Sequence, residues 1–353
     1  MTPHSSASLE LLRRFAPGTP LRTAAELIMA QGTGGLIVVG SGPRVDAVTT
    51  GGFVLDGARF TAQRLAELAK MDGGIVVDDR LGMIVAANVH FMPDPAIATA
   101  ETGTRFRTAE RIAVQTGVPV LAVSEEGHLR AVVFSEDTRF TLQSVTELLA
   151  EANQRLQSLE RIRRQFDEAL ARLDRYESED LVSERDVVAV LQRAAVIRAI
   201  ARGLDAIAAE TGDEAPLITL QAEALAEGVY HIADLVNADY QPRKPRKGTS
   251  VFRKLDLLDE DDLYKVDAIG DALGFTNLDQ HVTPRGIRAL ADISRLPDSV
   301  RDAILRRFGT YDKLLSASTD QLAEVEGVGK ARAKTIRSYL KGRQGLVGAD
   351  LGV

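Results

Sequence analysis

The sequence contains no cysteine and no tryptophan. Without thiols there can be no disulfides, thiolate metal sites or cysteine nucleophile, a composition that suits a reducing cytoplasm. No stretch of eighteen apolar residues occurs, so no membrane-spanning helix is expected. Residues 1–11 lack the basic region and apolar run of a secretory leader, and the chain reads as cytoplasmic. The Gly-x-x-x-x-Gly-Lys-Ser/Thr run of the usual P-loop is missing as well. Histidines are sparse: His4, His90, His128, His231 and His281 stand apart without metal-ligand spacing, and only His90 falls near the candidate loops.

At 353 residues the chain exceeds one ordinary core and predicts two or three domains. Its apolar fraction of 45% is that of a globular protein. A net charge of −7 argues against indiscriminate coating of nucleic acid, yet residues 283–353 carry 13 Lys or Arg against 8 Asp or Glu, a local balance of +5. A basic terminal module is joined to an acidic body.

Two stretches concentrate the chemistry. In Thr102-Gly103-Thr104-Arg105-Phe106-Arg107-Thr108-Ala109-Glu110-Arg111 a glycine turn runs into an amphipathic helix, bringing free N–H groups, hydroxyls and guanidinium forks together. The pattern suits a polyphosphate cradle; the plain alternative is an ordinary helix cap with solvated arginines. In Met71-Asp72-Gly73-Gly74 a lone carboxylate sits on a tight turn before the apolar strand Ile75-Val76-Val77, where a short loop can hold an acid rigidly.

Along the chain, the spacing predicts helices over residues 21–31, 61–70 and 108–116 and strands over 36–39, 45–49, 75–77, 83–87, 118–123 and 129–134, with a turn at 51–53 that exposes Phe53. Alternating strands and helices make an α/β domain ending near residue 136. Val145, Leu149, Ala152, Leu156, Leu159, Phe166, Leu170 and Leu173 then form a heptad seam with Arg163 in its one polar slot, which predicts a long helix packed on others. Further helices are expected over 184–202, 216–235 and 260–272, in a region without catalytic spacing that serves as a spine. Its basic, helix-breaking stretch 241–248 is either an exposed loop or an auxiliary phosphate contact.

Near the end, residues 322–336 contain Val325-Glu326-Gly327-Val328-Gly329-Lys330, a short helix, a glycine hairpin and a second helix opening with basic residues. Gly327 and Gly329 let the backbone approach a DNA phosphate, while Lys330, Arg332 and Lys334 neutralise charge without reading sequence. Residues 293–300 look like a degenerate first copy with Leu-Pro-Asp at its hairpin.

Taken with Leu68-Ala69-Lys70, Ala87-Asn88-Val89, Pro93-Asp94-Pro95 and Gln115-Thr116-Gly117, these motifs resemble the bacterial diadenylate cyclases that scan DNA integrity. The resemblance covers the whole chain. It implies an α/β N-terminal cyclase domain with a mixed sheet flanked by helices (1–137), an all-α central spine (138–282) and a C-terminal helix-hairpin-helix domain (283–353). The implied reaction joins two ATP molecules into cyclic di-AMP with release of two pyrophosphates, using Mg2+ or Mn2+, in an octamer whose cyclase domains meet face to face. By position, Asp72 lies beside the ribose 3′-hydroxyl, acting directly or as ligand to the divalent metal. Gly73 shapes that turn. The ATP-binding set is Gly74, Thr104, Arg105, Phe106, Arg107, Thr108 and Ser124. The implied DNA partner is branched, Holliday-junction-like DNA on the nucleoid, which suppresses the cyclase.

Two departures stand out. The family's Asp-Gly-Ala is Asp72-Gly73-Gly74, which predicts a slightly looser turn, and its Arg-His-Arg is Arg105-Phe106-Arg107. Loss of a polar ring able to donate to phosphate removes about 1.5–3 kcal/mol if that bond forms only in the transition state. The expectation is an active but slow cyclase; the alternatives are a nucleotide-binding, weakly active or inactive DNA-junction binder and an ATP-hydrolysing repair factor.

Overall fold

Strands covered on both faces need apolar residues at every position, and this is what the continuous runs of the N-terminal region supply. The computed structural model describes residues 6–125, 131–212, 215–241 and 249–349. The chain divides into two compact units, one of residues 2–153 with 205–219, the other of residues 154–204 with 220–353. His4, His128 and residues 242–248 of the basic stretch lie outside the described residues.

In the first unit the order is α1 (Ser6–Arg14), α2 (Pro20–Gln31), β1 (Gly35–Val39), α3 (Pro43–Asp46), β2 (Thr49–Thr50), β3 (Phe53–Val54), α4 (Ala62–Leu68), β4 (Gly74–Val77), β5 (Ile84–Phe91), α5 (Thr104–Thr116), β6 (Val120–Val123), β7 (Ala131–Phe134) and β8 (Arg139–Thr141). The sheet runs β2-β5-β4-β1-β6-β7-β8, with β3 also on β5. Only the β1–β4 pair is parallel among the named strands, so the sheet is mixed. Ile37, Val39, Ile75 and Leu121 face a core built with Leu21, Ala25 and Ile28 of α2 and Leu65 of α4. Val38, Val76 and Val120 face the opposite core, closed by Ala109, Ile112 and Ala113 of α5. Helices therefore flank both faces, as the alternation of elements predicts.

One expected strand is absent. Pro43 opens a helical turn instead, and Val45 and Val48, three residues apart, are both buried on it; strand pairing begins only at Thr49. The helix expected from residue 108 starts at Thr104, which places Thr104 and Arg105 in its first turn. Phe53 is exposed as anticipated. Neither α1 nor β8 was signalled by the hydrophobic pattern.

The remaining chain is helical: α6 (Val145–Glu179), α7 (Glu184–Thr211), α8 (Ala215–Ala226), α9 (Val229–Tyr240), α10 (Phe252–Leu255), α11 (Glu260–Leu263), α12 (Val266–Leu273), α13 (Ile287–Ala291), α14 (Asp298–Phe308), α15 (Tyr311–Ser316), α16 (Thr319–Ala323) and α17 (Lys330–Ala349). The heptad seam is one helix of 35 residues, with Ala152, Leu159, Phe166 and Leu173 buried at successive heptads. Its polar slot has a use: Arg163 donates to the carbonyls of Leu225 (2.9 Å) and Glu227 (3.0 Å), satisfying the end of α8. Gly228, at φ +75°, breaks the helix expected over 216–235 into α8 and α9.

A buried polar cluster fixes the start of the terminal module. Glu177 Oε1 accepts from Tyr240 Oη and Arg288 Nη2, both at 2.6 Å. Asp239 accepts from the backbone N–H groups of Ile287 (2.6 Å) and Arg288 (2.8 Å), supplying α13 with a cap from another helix. Burial pushes the Asp239 carboxyl up to about 6, against the lowering effect of the Arg288 backbone bond.

Candidate functional site

Parallel neighbours β1 and β4 begin at the same end of the sheet, and the antiparallel strand β6 ends there, with Gly35 opposite Val123. The N-terminus of α5 arrives at this end too. Between them lies a cavity of about 800 Å³, the size class of nucleotide and cofactor sites. Of the residues singled out from sequence, Asp72, Gly73, Gly74, Thr104, Arg105, Phe106, Thr108 and Ser124 line it. Arg107 does not: it is exposed on α5 and outside the lining.

The acid is held by backbone shape. A Cβ on Gly73 would lie 2.5 Å from the Asn88 backbone, and Asn88 itself adopts φ +55° where the β4–β5 register shifts. This bulge presses strand β5 against a turn that only glycine can make, which fixes the path of Asp72. The Asp72 carboxylate is exposed and makes no side-chain hydrogen bond or ion pair with another described residue.

At the opposite wall, Gly103 starts α5 without a side-chain cap, leaving the leading N–H groups available to an anion. Thr108 Oγ1 donates to the Thr104 carbonyl at 2.9 Å. Arg111 braces the proline-bearing loop by donating to the carbonyls of Ile97 (3.0 Å) and Pro95 (2.9 Å). Arg105 reaches across to Glu125.

Both departures from the family pattern have packing explanations. A Cβ on Gly74 would lie 2.1 Å from Phe91 Cε2, so the Phe91 ring fills the space of the missing methyl, and the turn is not loosened. Phe106 is half-buried, its ring edge-to-face with Phe134 at 6.4 Å and 62°, an extension of the core under α5.

Thr33, Gly34, Lys70, His90, Phe91 and Glu125 also line the cavity. His90 lies near the candidate loops by position. Glu125 and Gly34 carry no such signal, although Glu125 follows Ser124 and Gly34 falls in the run Gly32-Thr33-Gly34-Gly35 leading into β1. What sequence could not supply was the antiparallel pairing that brings these two segments together.

The terminal hairpin joins α16 to α17. Gly327 (φ +79°), Gly329, Lys330, Arg332 and Lys334 are all exposed, and Arg332 turns back to donate to the Gly327 carbonyl. Residues 292–298 follow the same backbone path, with Arg295 at φ +60° in the place of Gly327, Pro297 in that of Gly329 and Asp298 in that of Lys330. Matching bonds run from Arg301 N to Pro297 O (3.0 Å) and from Ala333 N to Gly329 O (2.9 Å). The first hairpin thus keeps the shape but lacks one N–H donor and carries an acid where the second has a lysine. Among the described residues there is no helix long and apolar enough to cross a membrane, and no group of three acidic or histidine side chains able to hold a metal by themselves.

Comparison with known proteins matches residues 22–137 to the DisA bacterial checkpoint controller nucleotide-binding family, 142–282 to the DisA bacterial checkpoint controller linker region and 287–341 to the SAM-like helix-hairpin-helix tandem. DNA integrity scanning protein DisA of Streptomyces avermitilis is 43% identical over 337 residues, covering 93% of this chain and 90% of that protein. Its counterpart from Streptomyces coelicolor matches to the same extent, and that of Parafrankia sp. (strain EAN1pec) is 42% identical over 335 residues, covering 93% of each chain. A solved structure, titled as a hypothetical membrane spanning protein from Bacillus cereus, aligns at 26% identity over 35% of this chain and 62% of that one, with a TM-score of only 0.31. With nucleotide-binding region, linker and hairpin tandem following one another in family order, and identity above two-fifths along almost the full length, the chain belongs to the DisA family.

Proposed function

We propose that the protein is a diadenylate cyclase that condenses two ATP molecules into cyclic di-AMP and two pyrophosphates, and that it binds branched DNA through its terminal hairpin module. The observation that carries the reading is one cavity with an exposed carboxylate, Asp72, on one wall and an uncapped helix start with Thr104, Arg105 and Thr108 on the other. An acid facing a phosphate cradle is the arrangement that in-line attack by a sugar hydroxyl requires.

In this reading the 3′-oxygen of one ATP attacks the α-phosphorus of the other. A P–O bond forms, the bond from the α-phosphorus to the bridging oxygen breaks, and pyrophosphate leaves with the electron pair. Asp72 receives the hydroxyl proton and passes it to water; Arg105 and the leading N–H groups of α5 neutralise the departing charge. The same step on the second nucleotide closes the ring. One cavity holds one ATP, so two copies must face each other, with Arg107, exposed on α5, available to the facing nucleotide.

A Mg2+ or Mn2+ ion fits the residues present. Asp72 would contribute the protein's carboxylate and the nucleotide phosphates the rest, which suits hard cations that take one or two carboxylates and keep several waters. Such an ion supplies phosphate neutralisation and a more acidic hydroxyl.

Purified protein given ATP with either metal should yield cyclic di-AMP by chromatography, with Asp72→Asn lowering the rate at least a hundredfold while ATP still binds. Absence of the cyclic product at a concentration where copies associate would refute the assignment. On the DNA side, a four-way junction should bind more tightly than linear duplex of equal length; equal affinity would refute that part.

A further inference from the structure

Arg105, the cation that would hold the triphosphate, already has a partner. Its Nη2 donates to Oε1 of Glu125, just beyond the end of β6. Space for this pair comes from Gly34: a Cβ there would lie 2.6 Å from Glu125 Cγ and 2.7 Å from Arg105 Nη1, on a backbone at φ +66°. The loop before β1, the first turn of α5 and the end of β6 are thus shaped around one carboxylate–guanidinium contact inside the cavity. Phosphate oxygens cannot occupy the same guanidinium edge while Glu125 does.

We propose that Glu125 is a selectivity residue of the nucleotide site: it yields Arg105 only to ligands with a terminal pyrophosphoryl group, and takes it back as pyrophosphate leaves. The proposal rests on the cyclase reading. ATP and pyrophosphate place several negative charges on adjacent phosphates, whereas each phosphodiester of cyclic di-AMP carries a single charge. The substrate and its leaving group displace a carboxylate from Arg105; the ring product does not. No covalent bond changes in the exchange. One ion pair opens, another forms, and the released carboxylate moves to water. With side-chain exposures of 28% for Arg105 and 55% for Glu125, the pair shifts an equilibrium by about fivefold at most, weak enough for a polyanion to open and for product release to restore.

The test is calorimetric titration of the full chain with inorganic pyrophosphate and with cyclic di-AMP, for wild type, Glu125→Gln, Arg105→Ala and the double variant. Glu125 is exposed, so its replacement is not expected to disturb folding. Glu125→Gln should bind pyrophosphate about three- to fivefold more tightly and cyclic di-AMP unchanged. In the Arg105→Ala background the same substitution should have no effect. Unchanged or weaker pyrophosphate binding, equal tightening toward cyclic di-AMP, or tightening that persists without Arg105 would each overturn the proposal, the last by revealing general charge repulsion. Assaying the wild-type sample for cyclic di-AMP separates the two failures. A wild type that neither cyclises ATP nor binds pyrophosphate sinks both readings; a productive wild type with a silent Glu125→Gln sinks only this one.

Discussion

Gly74, two residues from the candidate acid Asp72, shares one space with the ring of Phe91. Because a methyl at Gly74 would lie 2.1 Å from the Phe91 ring, restoring the alanine common in the family should be harmful here. Gly74→Ala is expected to cost about 1–3 kcal/mol in urea denaturation, since the ring must turn away or the strand must shift. Combined with Phe91→Leu it should cost less than the sum of the two single changes, by about 0.5–3 kcal/mol. Additive costs would mean that the two positions are independent. Phe106 follows the same logic. Its ring packs edge-to-face on Phe134 at the core under the helix that carries Arg105, so it acts in packing where the family's polar ring could donate to phosphate.

At the scale of elements, the two hairpins of the terminal module share a backbone path but differ in chemistry. Pro297 has no N–H, and Asp298 stands where Lys330 does in the second hairpin. Lys330→Ala should therefore weaken DNA binding and lower the salt slope by about one, whereas Asp298→Ala should leave both unchanged. Tighter binding on Asp298→Ala, which removes a negative charge, would show in a salt titration that the first hairpin also lies against phosphate, and unchanged binding on Lys330→Ala would show that the second does not. Much of this architecture was legible from residue order. The continuous apolar runs of β1, β4 and β6, the heptads of α6 and the Gly-x-Gly-Lys of the second hairpin all carry periods or turn requirements that local physics fixes. The misreadings lie at residues 45–49, where a turn buries Val45 and Val48, and in the helices expected over 216–235 and 260–272, which Gly228 and the extended Lys265 each divide in two. Likewise the acid and the phosphate cradle were visible as motifs, but the Arg105–Glu125 pair and the Phe91–Gly74 contact depend on strand pairing that no single stretch encodes.

At the scale of the whole molecule, an acidic chain carries a basic helix-hairpin-helix module, and in the proposed reaction each cavity offers one acid and one uncapped helix start, half of what ring closure would need. On the proposed reaction, association of copies is a requirement of the chemistry, since a second protomer would supply the other reacting nucleotide at high effective concentration. The most direct measurement follows cyclic di-AMP formed per protomer from ATP through a dilution series, with the mass of the protein read by sedimentation at each concentration. Activity per protomer should fall in step with the loss of associated copies and vanish for the separated chain; activity that stays constant where only single chains sediment would contradict the two-copy mechanism.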